Sequence, residues 1–73
     1  MDKGYKMIIE IQGKLFNPDQ IQTITDYWSM NYAYNEPECT AVIKFGPFNK
    51  LEFHGYSAKQ LKDEINKAIK KNQ

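Results

Sequence analysis

A chain of 73 residues has room for one small domain, because chains near this length bury only about 60% of the surface they expose when unfolded. Hydrophobic residues at 41%, aromatics at 14% and charged residues at 26% suit a folded domain and exclude a disordered polar segment. The net charge of +1 excludes the strong field of a dedicated nucleic-acid or membrane-surface binder, and the single cysteine, Cys39, excludes an internal disulfide.

In "YKMIIEIQGKLF", Met7, Ile9 and Ile11 alternate with Ile8, Glu10 and Gln12, and Gly13-Lys14 offers a turn. The spacing predicts a hairpin of two strands, over about 5–12 and 14–17. Asn17 then precedes a proline whose φ suits a first helical position, so a single helical turn is expected there. From Ile24 the even positions run Ile24, Asp26, Trp28, Met30, Tyr32, Tyr34, with Thr25, Tyr27, Ser29, Asn31, Ala33 and Asn35 between them. This period of two, rich in β-branched and aromatic side chains, predicts a long strand over about 22–34. Asn35-Glu36-Pro37-Glu38 is expected to break it, since proline lacks a ladder donor and restricts Glu36 before it.

Cys39, Ala41, Ile43 and Phe45 alternate with Thr40, Val42 and Lys44, giving a strand over about 39–46 that "GPFNK" links to another over about 50–54. Ser57 and Gln60 have the spacing of a capping box, with Tyr56 and Leu61 placed as its hydrophobic staple. A helix over about 58–70 follows, with a buried stripe of Ala58, Leu61, Ile65, Ala68 and Ile69. Lys59 to Asp63 and Asp63 to Lys67 are spaced as ion pairs on its wet side, and Lys70 and Lys71 suit the negative end of the helix dipole. The expected fold is one α+β domain, an antiparallel β-meander of four to five strands with the C-terminal helix packed on one face. One helix covers only one face of a sheet, so the other is expected to be solvated or covered by a second copy, and a homodimer is the simplest such assembly.

The ten basic residues are all lysines, and they are unevenly placed. Residues 57–73 carry five of them against Asp63 and Glu64, whereas residues 1–56 carry five against seven acids. No charged-then-apolar leader and no long apolar run stands at the N-terminus, so a cytoplasmic protein without a membrane segment is expected. Heavy use of Lys, Ile, Asn, Tyr and Phe with no arginine fits an AT-rich coding sequence of the kind common in phages and mobile elements.

The stretch "GKLFNPDQIQTI" resembles the small flagellar-operon proteins of the FlbD type and short phage and bacterial proteins of the same layout. Gly13, Phe16, Asn17, Ile21 and Ile24 carry the likeness, "TAVIKF" resembles the later strand of that pattern and "SAKQLKDEI" its closing helix. The resemblance covers residues 8–70 loosely and implies a small sheet with a capped C-terminal helix. The segment 27–34 is longer and richer in aromatics than the pattern, and "GPFNKLEF" replaces a simple glycine turn. "DYW" ahead of two strands and a helix also resembles, faintly, a single-strand-binding coactivator domain.

Chemistry is sparse. Cys39 and His54 each stand alone, and a zinc site needs about four ligands, so neither a metal nor a cofactor is expected. Cys39 falls on the apolar side of its strand as a small buried hydrophobe, and His54 on the polar side of its own. Glu36 and Glu38 flank Pro37, but paired-carboxylate catalysis also needs a walled pocket to shift one pKa. The four glycines are isolated and form no phosphate cradle. No enzyme is expected.

The aromatic run is the remaining candidate, and it has three readings. Trp28 has the bulk of a core anchor beneath the helix. Tyr27, Trp28, Tyr32 and Tyr34, with Glu36 and Glu38 at their rim, have the composition of a protein contact, since tyrosine and tryptophan supply rigid area at low entropy cost. As a platform for stacking single-stranded bases the run would need phosphate partners, and no lysine lies between Lys14 and Lys44. Lys59, Lys62, Lys67 and Lys70 of the helix would have to supply them. The expectation is a non-enzymatic protein-binding module, of the class of phage or mobile-element proteins that dock on and inhibit or modulate a host machine, for example an immune nuclease in the anti-CRISPR manner. Single-stranded nucleic-acid binding is the alternative.

Overall fold

The computed structural model describes residues 7–71. The first two strands, β1 (Ile9–Ile11) and β2 (Lys14–Phe16), pair antiparallel with Ile9 opposite Phe16 and Ile11 opposite Lys14. Gln12 and Gly13 form the turn, with φ of 54° and 77°. Positive φ at both central residues is the type I′ geometry that matches the twist of a two-residue hairpin, so the turn is Gln12-Gly13 rather than the expected Gly13-Lys14. Residues 5 and 6 of the first expected strand lie outside the described residues. Asn17 Oδ1 then accepts from Asp19 N at 2.8 Å and caps a single 3-10 turn, Pro18–Gln20, as its sequence foretold.

Three longer strands form a separate sheet in the order β3-β4-β5: β3 (Thr23–Asn31), β4 (Glu36–Lys44) and β5 (Lys50–His54). The five expected strands are therefore divided between a two-stranded and a three-stranded antiparallel sheet. β3 pairs with β4 through nine consecutive residues, from Thr23 opposite Lys44 to Asn31 opposite Glu36. β5 pairs only with the far half of β4, from Thr40 opposite His54 to Lys44 opposite Lys50.

The long strand stops at Asn31, not 34, and residues 32–35 are the turn. Asn31 closes it twice, its carbonyl accepting from Tyr34 N at 3.2 Å and its Oδ1 from Ala33 N at 3.1 Å. Asn35 completes the reversal at φ 57°, a conformation asparagine tolerates. Glu36, Pro37 and Glu38, expected to break the strand, open β4 instead. Pro37 is accommodated because odd-numbered β4 residues direct their backbone polar groups toward β5, as the bond from Gly55 N to the Cys39 carbonyl at 2.8 Å shows. At Pro37 β5 has already ended, so its missing N–H leaves no ladder bond unmade.

One face of the larger sheet carries Ala41, Ile43 and Phe53, and over it lie the β1–β2 hairpin, through Ile9, Ile11 and Phe16, and helix α1 (Ala58–Lys71), through Leu61 and Ile65. Phe16 packs edge-on to Phe53 at 6.0 Å between ring centroids, and Phe53 packs in the same way on Tyr56 at 6.4 Å. Such tilted contacts add about 0.5–1.5 kcal/mol each beyond the area they bury. Ala68 and Ile69 pack more loosely against this core. The opposite face is polar at its margins, with Thr25, Tyr27, Glu52 and His54 flanking Val42 and a fully buried Thr40.

The capping box forms as its spacing indicated: Ser57 Oγ accepts from Gln60 N at 3.1 Å, and Gln60 Oε1 accepts from Ser57 N at 2.9 Å. Asp26 adds a cap that local sequence does not announce, its Oδ2 accepting from Ala58 N at 2.6 Å across 32 residues. On the wet side Lys67 reaches Glu64 at 3.9 Å rather than Asp63, three residues away instead of four. Both side chains are exposed, so the pair contributes little.

Candidate functional site

The helix and β5 together determine what the β3–β4 hairpin leaves uncovered. β5 leaves the sheet at His54, and Gly55, at φ 86°, turns the chain toward α1. The helix therefore enters at the level of Asp26, whose carboxylate meets its first turn. Among the described residues no third strand pairs with β3 beyond Asp26 or with β4 before Thr40. The hairpin continues as a two-stranded ribbon in a molecule with principal extents of 50 × 27 × 18 Å.

Cross-strand partners share a face, which sorts the ribbon's side chains. Trp28 and Met30 lie opposite Cys39 and Pro37 on the face that carries α1, whereas Tyr27, Ser29 and Asn31 lie opposite Thr40, Glu38 and Glu36 on the other. Trp28 is 68% exposed, so the core reading fails for it: its side chain points to the helix side of the sheet but lies past the end of the helix. Tyr32 and Tyr34, 85% and 75% exposed, stand in the turn at the tip rather than on a strand. Tyr27 and Met30 are each 44% exposed. Glu36 is exposed and Glu38 half-buried, and with Tyr27 they make one face of the ribbon acidic.

Lys59, Lys62, Lys67 and Lys70 are exposed on the solvent side of α1, opposite the stripe of Leu61 and Ile65. The ribbon itself, from Tyr27 to Cys39, contains no lysine. The ribbon aromatics and the helix lysines are thus carried by different elements.

His54 is exposed, and its Nδ1 stands 3.1 Å from the Thr40 hydroxyl, the one polar partner that the buried threonine side chain has among the described residues. Cys39 is buried, and that burial, with the charge of Asp26 second, pushes its thiol pKa up, away from the reactive thiolate. Among the described residues no group of histidine, cysteine and carboxylate side chains has the arrangement of a metal site. Among the described residues no helix is long and apolar enough to cross a membrane.

Two surface features escaped the sequence reading. Met30 joins Trp28 on the same face, which the even-numbered alternation already implied. At the opposite end of β4, Leu15 and Phe45 line an open groove of about 490 Å³ with Phe48, which is 93% exposed. The signal for Phe48 was an aromatic placed between Pro47 and Asn49, where a turn leaves it nothing to pack against. A second groove, of about 660 Å³, runs between Glu10 and Gln12 of the first hairpin and Glu64 and Lys67 of the helix, and its charges are mixed. Comparison with protein-family models, curated proteins and solved structures finds no match for this chain.

Proposed function

We propose that this chain is a non-enzymatic protein-binding module whose contact surface is the β3–β4 ribbon and its tip. The observation that carries the reading is the exposure of Trp28, Met30, Tyr32 and Tyr34 on a projecting ribbon that has no lysine from Tyr27 to Cys39. Large rigid aromatics act as binding anchors once a partner removes them from water, and a rim of Glu36 and Glu38 would favour a partner with basic side chains. The same strand provides an edge for self-association, so a symmetric dimer belongs to the reading. A phage or mobile-element protein that blocks a host machine in the cytoplasm is the biological class that fits a small module of this kind.

One observation favours a second reading: Trp28 lies on the same side of the sheet as the lysine-bearing helix, as a base-stacking residue would. Titrating Trp28 fluorescence with single-stranded oligonucleotides at two salt concentrations separates the two. Protein docking predicts no binding tighter than about 1 μM, the tight end of ordinary non-specific association at physiological salt. Tighter binding that falls with salt at roughly −0.7 per phosphate, and is lost on changing Lys59, Lys62, Lys67 and Lys70 together, would establish nucleic acid instead.

A further inference from the structure

Among the described residues no strand pairs with the outer edge of β3. Phe45 N donates to Asn49 O and Gly55 N to Cys39 O, so odd β4 residues direct their backbone groups to β5 and even ones to β3. The register places even β4 residues opposite odd β3 residues, which turns the N–H and C=O groups of Ile24, Asp26, Trp28 and Met30 outward. Edges of this kind are ordinarily blunted by lysine, proline or a bulge. From Thr23 to Asn31 there is no lysine or proline, the nine pairs with β4 are consecutive, and the only charge, Asp26, is engaged with Ala58 N.

The geometry points to a second copy of this chain as the occupant of that edge, paired antiparallel about a two-fold axis at Tyr27. Resting on the self-association reading above, this proposal fixes which residues meet. Outward-facing groups sit only on even residues, so a symmetric pairing must set even opposite even. Centring on Asp26 would oppose two carboxylates and centring on Trp28 would forfeit the start of the strand. Centring on Tyr27 engages all nine residues, with Asp26 opposite Trp28 of the second copy, Ile24 opposite its Met30, Thr25 opposite its Ser29, and the two Tyr27 side chains together. Ile24 with Met30, Thr25 with Ser29 and Tyr27 with itself are apolar, hydroxyl and aromatic cross-strand pairs, the kinds that stabilise sheets. A continuous six-stranded sheet results, and each exposed Trp28 comes to lie beside the Asp26 cap of the other helix.

The two Tyr27 residues form a non-hydrogen-bonded pair, whose Cα separation of about 4.5 Å lies within disulfide range. In a Cys39→Ala background, Tyr27→Cys should therefore cross-link to itself under mild oxidation. Thr25→Cys and Ser29→Cys should each fail alone, because like residues are offset by about 13 Å along the strands, and should cross-link when mixed. Thr25 and Ser29 are exposed, so that mixture reads the register even if Tyr27→Cys does not fold. Self-cross-linking of Thr25→Cys or Ser29→Cys at the rate of Tyr27→Cys, or no cross-link in the mixture, would overturn the register. Sedimentation of the unaltered protein separates that failure from the wider one: a dimer with the wrong cross-links refutes the Tyr27 axis alone, and a monomer across dilution refutes self-association too.

Discussion

Asp26 belongs to a strand, yet its carboxylate serves the helix, and it marks the point where the covered sheet gives way to the free ribbon. Asp26→Ala should lower stability by about 0.5–2 kcal/mol in urea unfolding, the range for losing a helix cap, and Asp26→Asn, which keeps an oxygen acceptor, by less. Gly55 makes the turn into the helix at a φ that costs other residues about 1–2 kcal/mol, so Gly55→Ala should be destabilising by that amount. Gly46→Ala, with open space around it and no positive φ, is the matching control and should change stability less. For Cys39 the sign follows from a thiol pKa raised by burial: the folded chain holds the proton more tightly than the unfolded one. That contribution is fully present below the ordinary thiol pKa of about 8.5 and is lost as pH rises past it. The urea midpoint should therefore fall more steeply above that pH than it does in Cys39→Ala.

Helix α1 is the element most fully legible in sequence, because its capping box and its apolar stripe are both local patterns. Ile65→Ala should cost about 2–5 kcal/mol, since the side chain is buried in the core and leaves a cavity, as the urea midpoint will show. β3 was legible in its period but not in its end. Alternation continues through Tyr32 and Tyr34, and only the side chain of Asn31, folding back on Ala33 N, together with Asn35 at positive φ, turns the chain there. Pro37 misled in the opposite direction, because a proline is excluded from a strand only where its N–H would be needed. That condition depended on where β5 stops, which is a tertiary fact. The exposure of Trp28 was hidden for the same reason: its face follows from alternation, but whether that face is covered depends on where α1 begins. The split into two sheets likewise follows from packing across the core, through Phe16 on Phe53, and leaves no mark on local periodicity.

At the scale of the molecule, the core gathers under α1 and the first hairpin, while the ribbon tip and the Phe48 loop carry exposed aromatic side chains at opposite ends of β4. The buried core and the exposed tip are thus different parts of the chain, so tip substitutions should leave unfolding unchanged. Tyr32→Ala and Tyr34→Ala should each shift the urea midpoint by no more than surface changes do, within about 0.5 kcal/mol. The central claim is that the tip binds protein, and the most direct measurement is quantitative affinity capture from a bacterial host lysate. It compares the unaltered chain with the combined Tyr32→Ala, Tyr34→Ala variant and with the variant lacking Lys59, Lys62, Lys67 and Lys70. The account predicts a protein that survives nuclease treatment and raised salt, is retained by the lysine variant, and is recovered at least about fivefold less by the tyrosine variant, the equivalent of about 1 kcal/mol. Capture that is unchanged in the tyrosine variant, or that is abolished by nuclease and by loss of the lysines, would contradict it.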